Sequence, residues 1–225
     1  MTMNSLMCFA ATAAMLCATN GVATTTRLTV APRSTLLLQG SSNLAKWRCS
    51  GSTLNGSMYV AAPIEKINAV IDRIEEGDVG AWMSEPAAAT FPQPRFELTI
   101  PIEALRCTGG RPMERDLVAA LKAAHYPDIT FRFVRLKGGV EHDIDRHLYR
   151  VVILGEISLA GTTRDVEIVA TAERLASDRF RIQAALPLRM TDFGVNPPRA
   201  LLGLLRAADD LTVEMDLFLQ VDSHA

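Results

Sequence analysis

His142-Asp143-Ile144-Asp145-Arg146-His147 gathers two imidazoles and two carboxylates within six residues, donor types that zinc and harder cations accept. The cluster follows Gly138-Gly139, where a hairpin loop is expected, and no second cluster complements it, so a solvated loop is the plainer reading. Arg189 and Asp192 stand three apart in Arg189-Met190-Thr191-Asp192-Phe193-Gly194. The guanidinium could meet a phosphate or carbonyl oxygen of a ligand, or the two side chains could serve an ion pair or cap the following turn. Arg115 and Asp116 fall where a helix should open, and Asp116 would complement its dipole there. The spacings that mark covalent or phosphate chemistry, G-x-S-x-G, H-E-x-x-H, a Walker loop and G-x-G-x-x-G, do not occur. His125 beside Tyr126-Pro127 and the pairs Glu75-Glu76 and Asp209-Asp210 fit turns and helix ends. No catalytic residue, metal site or cofactor is predicted, and the chain is not expected to be an enzyme.

Charge excludes another class. Lys and Arg number 23 against 25 Asp and Glu, giving a net charge of -2 without any long basic run. A weakly acidic surface gains little from releasing counterions, so no nucleic acid partner is expected.

The first charged side chain is Arg27, and residues 5–18 are almost wholly apolar or small. That length suits the hydrophobic region of a signal peptide and is too short to span a bilayer. Gly21-Val22-Ala23 supplies small residues for cleavage, although no Lys or Arg precedes the apolar run. Residues 1–23 are therefore expected to be a signal peptide and 24–225 one exported domain, periplasmic or secreted. Leu16-Cys17 does not complete a lipobox. No later stretch reaches the length of a membrane span, so no stable insertion is expected after the leader is removed. Two cysteines remain in the domain, Cys49 and Cys107. In an oxidising compartment they allow one bridge; the other reading is two buried free thiols.

The elements that would position these residues are mostly strands. Apolar residues alternate at Phe96, Leu98, Ile100 and Ile102, and again at Ile129, Phe131 and Phe133. Longer runs of the same period cover 148–160, 163–175, 179–190 and 211–221, and earlier strands are expected at 36–41 and 46–60. Gly161-Thr162 and Ser177-Asp178 suit tight turns. About eight successive strands predict an all-β fold with minor helices, an antiparallel up-and-down barrel. Helical spacing follows Pro63 in Ile64, Ile67, Ile71 and Ile74, ending at Gly77. A second helix is expected between Pro112 and Ala124, with Pro127 stopping it, and a third at 200–207. Residues 77–95 read as an irregular loop.

Four motifs occur in one order: Met113-Glu114-Arg115-Asp116-Leu117, then His125-Tyr126-Pro127-Asp128-Ile129-Thr130-Phe131, then Gly155 to Val166, then Arg189 to Gly194. Their order and spacing resemble the YceI-like family of exported lipid-binding proteins. The resemblance covers most of 27–221 and implies a lipocalin-like eight-stranded barrel holding an isoprenoid or similar lipid. Three stretches depart from the family pattern: 45–49, an insertion over 63–94, and the apolar segment 196–205. On this reading Phe96, Phe131, Phe133, Phe180, Met190 and Phe193 line a cavity for a long-chain apolar ligand; on the other they fill a barrel core. Arg189 would sit at the mouth. Leu201, Leu202, Leu204 and Leu205 would be a lid, a plug or a dimer contact, with a homodimer open as an expectation. The alternative function is a ligand-free interaction module of the cell envelope.

Overall fold

The computed structural model describes residues 25–76, 94–137, 140–143, 147–200 and 205–222. The expected signal peptide, most of the 77–95 loop, Leu201, Leu202 and Leu204 lie outside the described residues.

Alternation becomes strand wherever one face can be buried. The strands are β1 (Thr26–Val30), β2 (Thr35–Ser42), β3 (Lys46–Gly51), β4 (Asn55–Val60), β5 (Arg95–Pro101) and β6 (Arg106–Cys107). There follow β7 (Asp128–Leu136), β8 (Glu141–Asp143), β9 (Leu148–Leu159), β10 (Thr162–Ala176), β11 (Arg179–Arg189), β12 (Arg199–Ala200) and β13 (Leu205–Val221). Two helices are described, α1 (Ile64–Glu75) and α2 (Gly110–Ala120).

Eight strands close into an antiparallel barrel in the order β1-β4-β5-β7-β9-β10-β11-β13. Closure comes from Leu28, Thr29 and Val30 of β1 against Val221, Gln220 and Leu219 of β13. A closed ring leaves no strand edge unpaired, which is the physical advantage of this architecture. β2, β3 and β6 continue three of the eight past interruptions. β2 extends β1 after a turn, β3 precedes β4 across Ser52–Leu54, and β6 extends β5 after the 3-10 turn Ile102–Ala104. These upper halves pair among themselves, β13-β2-β3-β6.

The single strand expected over 46–60 is therefore two. Trp47, Cys49 and Gly51 turn inward in β3, whereas Gly56, Met58 and Val60 do so in β4. Odd positions have given way to even ones, and such a slip turns every side chain to the other face unless the strand breaks. β1 escaped the sequence reading altogether. The β9–β10 turn is centred on Ala160 and Gly161, both with positive φ, so it lies one residue before the expected Gly161-Thr162. Ser177-Asp178 does connect β10 to β11.

The expected third helix is also corrected. In place of a helix over 200–207, Arg199 and Ala200 pair with Arg206 and Leu205, and β13 begins there. Backbone bonds fix the extended form: Ala207 donates to the Pro198 carbonyl, and the Arg206 amide donates to Asn43 Oδ1. Pro197 and Pro198 ahead of it favour extended backbone.

α1 matches its expected stripe, with Ile74 buried and Ile67 packed on the core. It caps one end of the barrel. Asn68 Nδ2 donates to the Ser177 carbonyl, and Arg174 holds both Asp72 and Glu75 at 2.6 Å. Tyr149 donates its hydroxyl proton to Glu75 Oε1 at 2.7 Å. α2 begins at Gly110, so Arg115 and Asp116 sit in mid-helix and the expected N-terminal role of Asp116 does not apply. Its end is set before Pro127. Lys122 adopts φ 54°, and the Ala123 amide donates to the Val118 carbonyl in a Schellman turn.

Cys49 and Cys107 are cross-strand partners in β3 and β6 and form a disulfide. The bond anchors the strand from which α2 springs. The Cys107 amide also donates to Glu114 Oε1 of α2 at 3.2 Å.

Candidate functional site

The interior of the barrel is divided along its axis. The half nearest α1 is filled by side chains, among them Leu28, Phe96, Ile168, Leu217 and Leu219, each at most 6% exposed. The other half holds a cavity of about 540 Å³. That volume lies within the usual range for small-molecule sites.

On each of the five barrel strands that line the cavity, the boundary falls between successive inward-facing residues. Leu98 lines the cavity on β5 but Phe96 does not, and on β7 Phe131 does but Phe133 does not. On β9 the lining stops at Ile157 before Gly155, on β11 at Leu186 before Ala184, and on β13 at Met215 before Leu217. The aromatic residues are thus divided between the cavity wall and the packed half.

Of the residues singled out from sequence, Phe131, Met190, Phe193 and Arg189 stand in the cavity wall. Phe96, Phe133 and Phe180 do not; they pack into the filled half or against it. Leu201 and Leu204 lie outside the described residues. The wall contains residues that sequence reasoning did not assign to it. Met113 and Leu117 of α2, with Leu121 at its C-cap, line the cavity at helical spacing. α2 follows β6 in the chain and packs on it and on the Ile102–Ala104 turn, where the upper wall runs out of paired strands. Trp47 also lines the cavity, its indole lying over its register partner Gly40 on the neighbouring strand β2, where a Cβ would overlap the ring. The apolar stripe of α2 was visible in the sequence; which side of it faced a cavity was not.

The mouth is polar. Lys46, Thr108, Asp116 and Arg189 line the cavity and are exposed. Arg189 is paired with Asp209 at 3.2 Å and Asp210 at 3.9 Å, not with Asp192. Asp209 does more than neutralise it. Its carboxylate accepts both the amide and the hydroxyl of Thr191, at 2.9 and 2.6 Å. These bonds, with Arg189 beside them, hold the Asp209 carboxyl below the usual carboxylate range. They pin the 3-10 turn Met190–Phe193, which sets Met190 and Phe193 into the wall. Arg164 Nε donates to the Asp192 carbonyl from the other side at 2.7 Å. Gly194 leaves the turn with φ 65°, a conformation that favours glycine.

His142 lies in β8 and stacks on Tyr149 with ring centroids 4.7 Å apart; residues 144–146 lie outside the described residues. Among the described residues no group of three or more His, Cys, Asp or Glu could hold a metal ion. None of the described helices is long and apolar enough to cross a membrane.

A family model described as the YceI-like domain matches residues 52–219. No curated protein matches the sequence significantly. Among solved structures, a polyisoprenoid binding domain from Saccharophagus degradans, implicated in plant cell wall breakdown, superposes with a TM-score of 0.58 at 14% identity. The match covers 87% of this chain and 98% of that one. BcnA of Burkholderia cenocepacia superposes with a TM-score of 0.53 at 15% identity, covering 82% of this chain and 95% of its own. At these identities the likeness shows the fold alone.

Proposed function

Since this chain belongs to the YceI-like family, we propose that it is an exported binding protein that holds a long apolar molecule in its barrel, for carriage or storage. The ligand class is an isoprenoid, a quinone-like molecule or another single-chain lipid. One observation carries the reading: a cavity of about 540 Å³ walled mostly by leucine, isoleucine, methionine and aromatic side chains, with its charged residues Lys46, Asp116 and Arg189 all exposed at the rim. Burying hydrocarbon there contributes about 0.8 kcal/mol per methylene. Lys46, Thr108 and Arg189 at the rim would orient a polar head group. The polyisoprenoid binding of the Saccharophagus degradans domain supports the ligand class. Export is supported by the leader-like residues 5–18 and by the Cys49–Cys107 bridge, which suits an oxidising compartment.

Native mass spectrometry of protein purified without detergent, followed by organic extraction, tests the proposal. A co-purifying long-chain lipid near one per chain is expected. Protein that is empty and also rejects added polyprenols overturns it.

A further inference from the structure

We infer that the cavity measures chain length, with the Phe131 ring, seated on Phe96, as the floor against which a bound chain ends. The inference rests on the binding reading above and specifies its ligand.

Phe131 leans toward the closed end of the barrel by two independent measures. Its register partner on β5 is Leu98, yet its ring meets Phe96, two residues nearer that end, with centroids 6.1 Å apart and planes tilted by 55°. Its register partner on β9 is Ile157, yet its ring overlies Gly155, again two residues nearer that end. A Cβ on Gly155 would stand 2.6 Å from Phe131 Cζ, so the missing side chain is the space the ring occupies. Phe131 itself is cavity wall, and Phe96 behind it is only 6% exposed. Below this pair the barrel is packed, so nothing longer can be admitted by a change of pose.

The capacity above the floor follows from volume. At about 30 Å³ per small group, the share of one water in the liquid, 540 Å³ holds roughly 18 such groups. The ligand is therefore a single linear chain of about 15–20 carbons within the barrel, with its head group and any further carbons outside the mouth.

The test is a ladder of linear prenyl alcohols, from geraniol upward by one isoprene unit, titrated into the full chain by native mass spectrometry. Affinity is expected to rise by about tenfold or more for each added unit until the chain has about 20 carbons, and then to level off. Phe131→Leu opens the floor and moves the plateau to a longer chain. Gly155→Ala drives the ring into the cavity and moves it to a shorter one. Should Gly155→Ala not fold, Phe131→Leu decides alone. Affinity that keeps rising along the ladder, or a plateau that stays in place in a folded floor variant, overturns the length inference and leaves the binding reading standing. A ladder in which no member binds overturns the binding reading and the inference with it.

Discussion

Asp209 holds Thr191 by two hydrogen bonds, one from the amide and one from the hydroxyl, and so fastens a cavity-lining turn to β13. Because the carboxyl is held below its ordinary range, it binds protons less readily folded than unfolded. Its contribution is complete above the ordinary carboxylate value and is lost as pH falls through the lowered folded one. Neutral buffers should therefore show no pH dependence from this site. Acidification should lower the protection factor of the Thr191 amide, taken against the intrinsic exchange rate at each pH, and Asp209→Asn should abolish that dependence. A protection factor at Thr191 that ignores acid in the unmodified protein would contradict the assignment.

The disulfide closes a loop between residues 58 apart in sequence. In the chain-entropy model such a loop contributes about 4 kcal/mol. Replacing Cys49 and Cys107 together by serine should lower stability by that order in denaturant titration. Ligand affinity should fall as well, since the bridge anchors β6 next to α2 and its cavity-facing residues.

Leu117 lies on the inner face of α2, is only half-buried, and faces the cavity. Leu117→Asp should reduce lipid uptake by tenfold or more on the order of its lost hydrophobic contact, with little change in melting temperature. Equal uptake by the variant would remove α2 from the binding surface.

At the opposite end, the phenol of Tyr149 is pushed well above its ordinary value by burial and then by its bond to Glu75. It stays protonated and donating at every ordinary pH. Tyr149→Phe removes a hydrogen bond to a charged group and should cost about 1.5–3 kcal/mol. Lipid affinity should be unchanged, because Tyr149 lies outside the cavity lining. A variant with lost binding and intact stability would reverse the roles given to the two ends.

The long strands were legible because burial on one face imposes a period of two, and 148–160 or 179–190 can satisfy that period in only one way. The break between β3 and β4 was also written in the residues, as the change of phase from Trp47 and Cys49 to Met58 and Val60. It was missed because each half alone alternates correctly. Leucines spaced for a helix after Pro198 were misleading for a different reason: pairing of Arg199 with Arg206 and of β13 with β11 and β2 outweighs local preference. Among the aromatic residues, Phe131 and Phe133 share one face of one strand, yet one is wall and the other is not. Depth along a barrel axis leaves no mark on alternation, so that distinction had no sequence signal.

Closure through Leu28 and Val221 joins the first described strand to the last. The ring thus depends on contacts between the most distant parts of the chain, and loop-closure entropy must be met before those contacts form. Folding should accordingly be slow and all-or-none for the barrel: a nascent chain lacking β13 leaves one edge of β1 and one edge of β11 unpaired until that strand is made. A chaperone that shields such edges would be most useful during that interval and unnecessary once the last strand is in place.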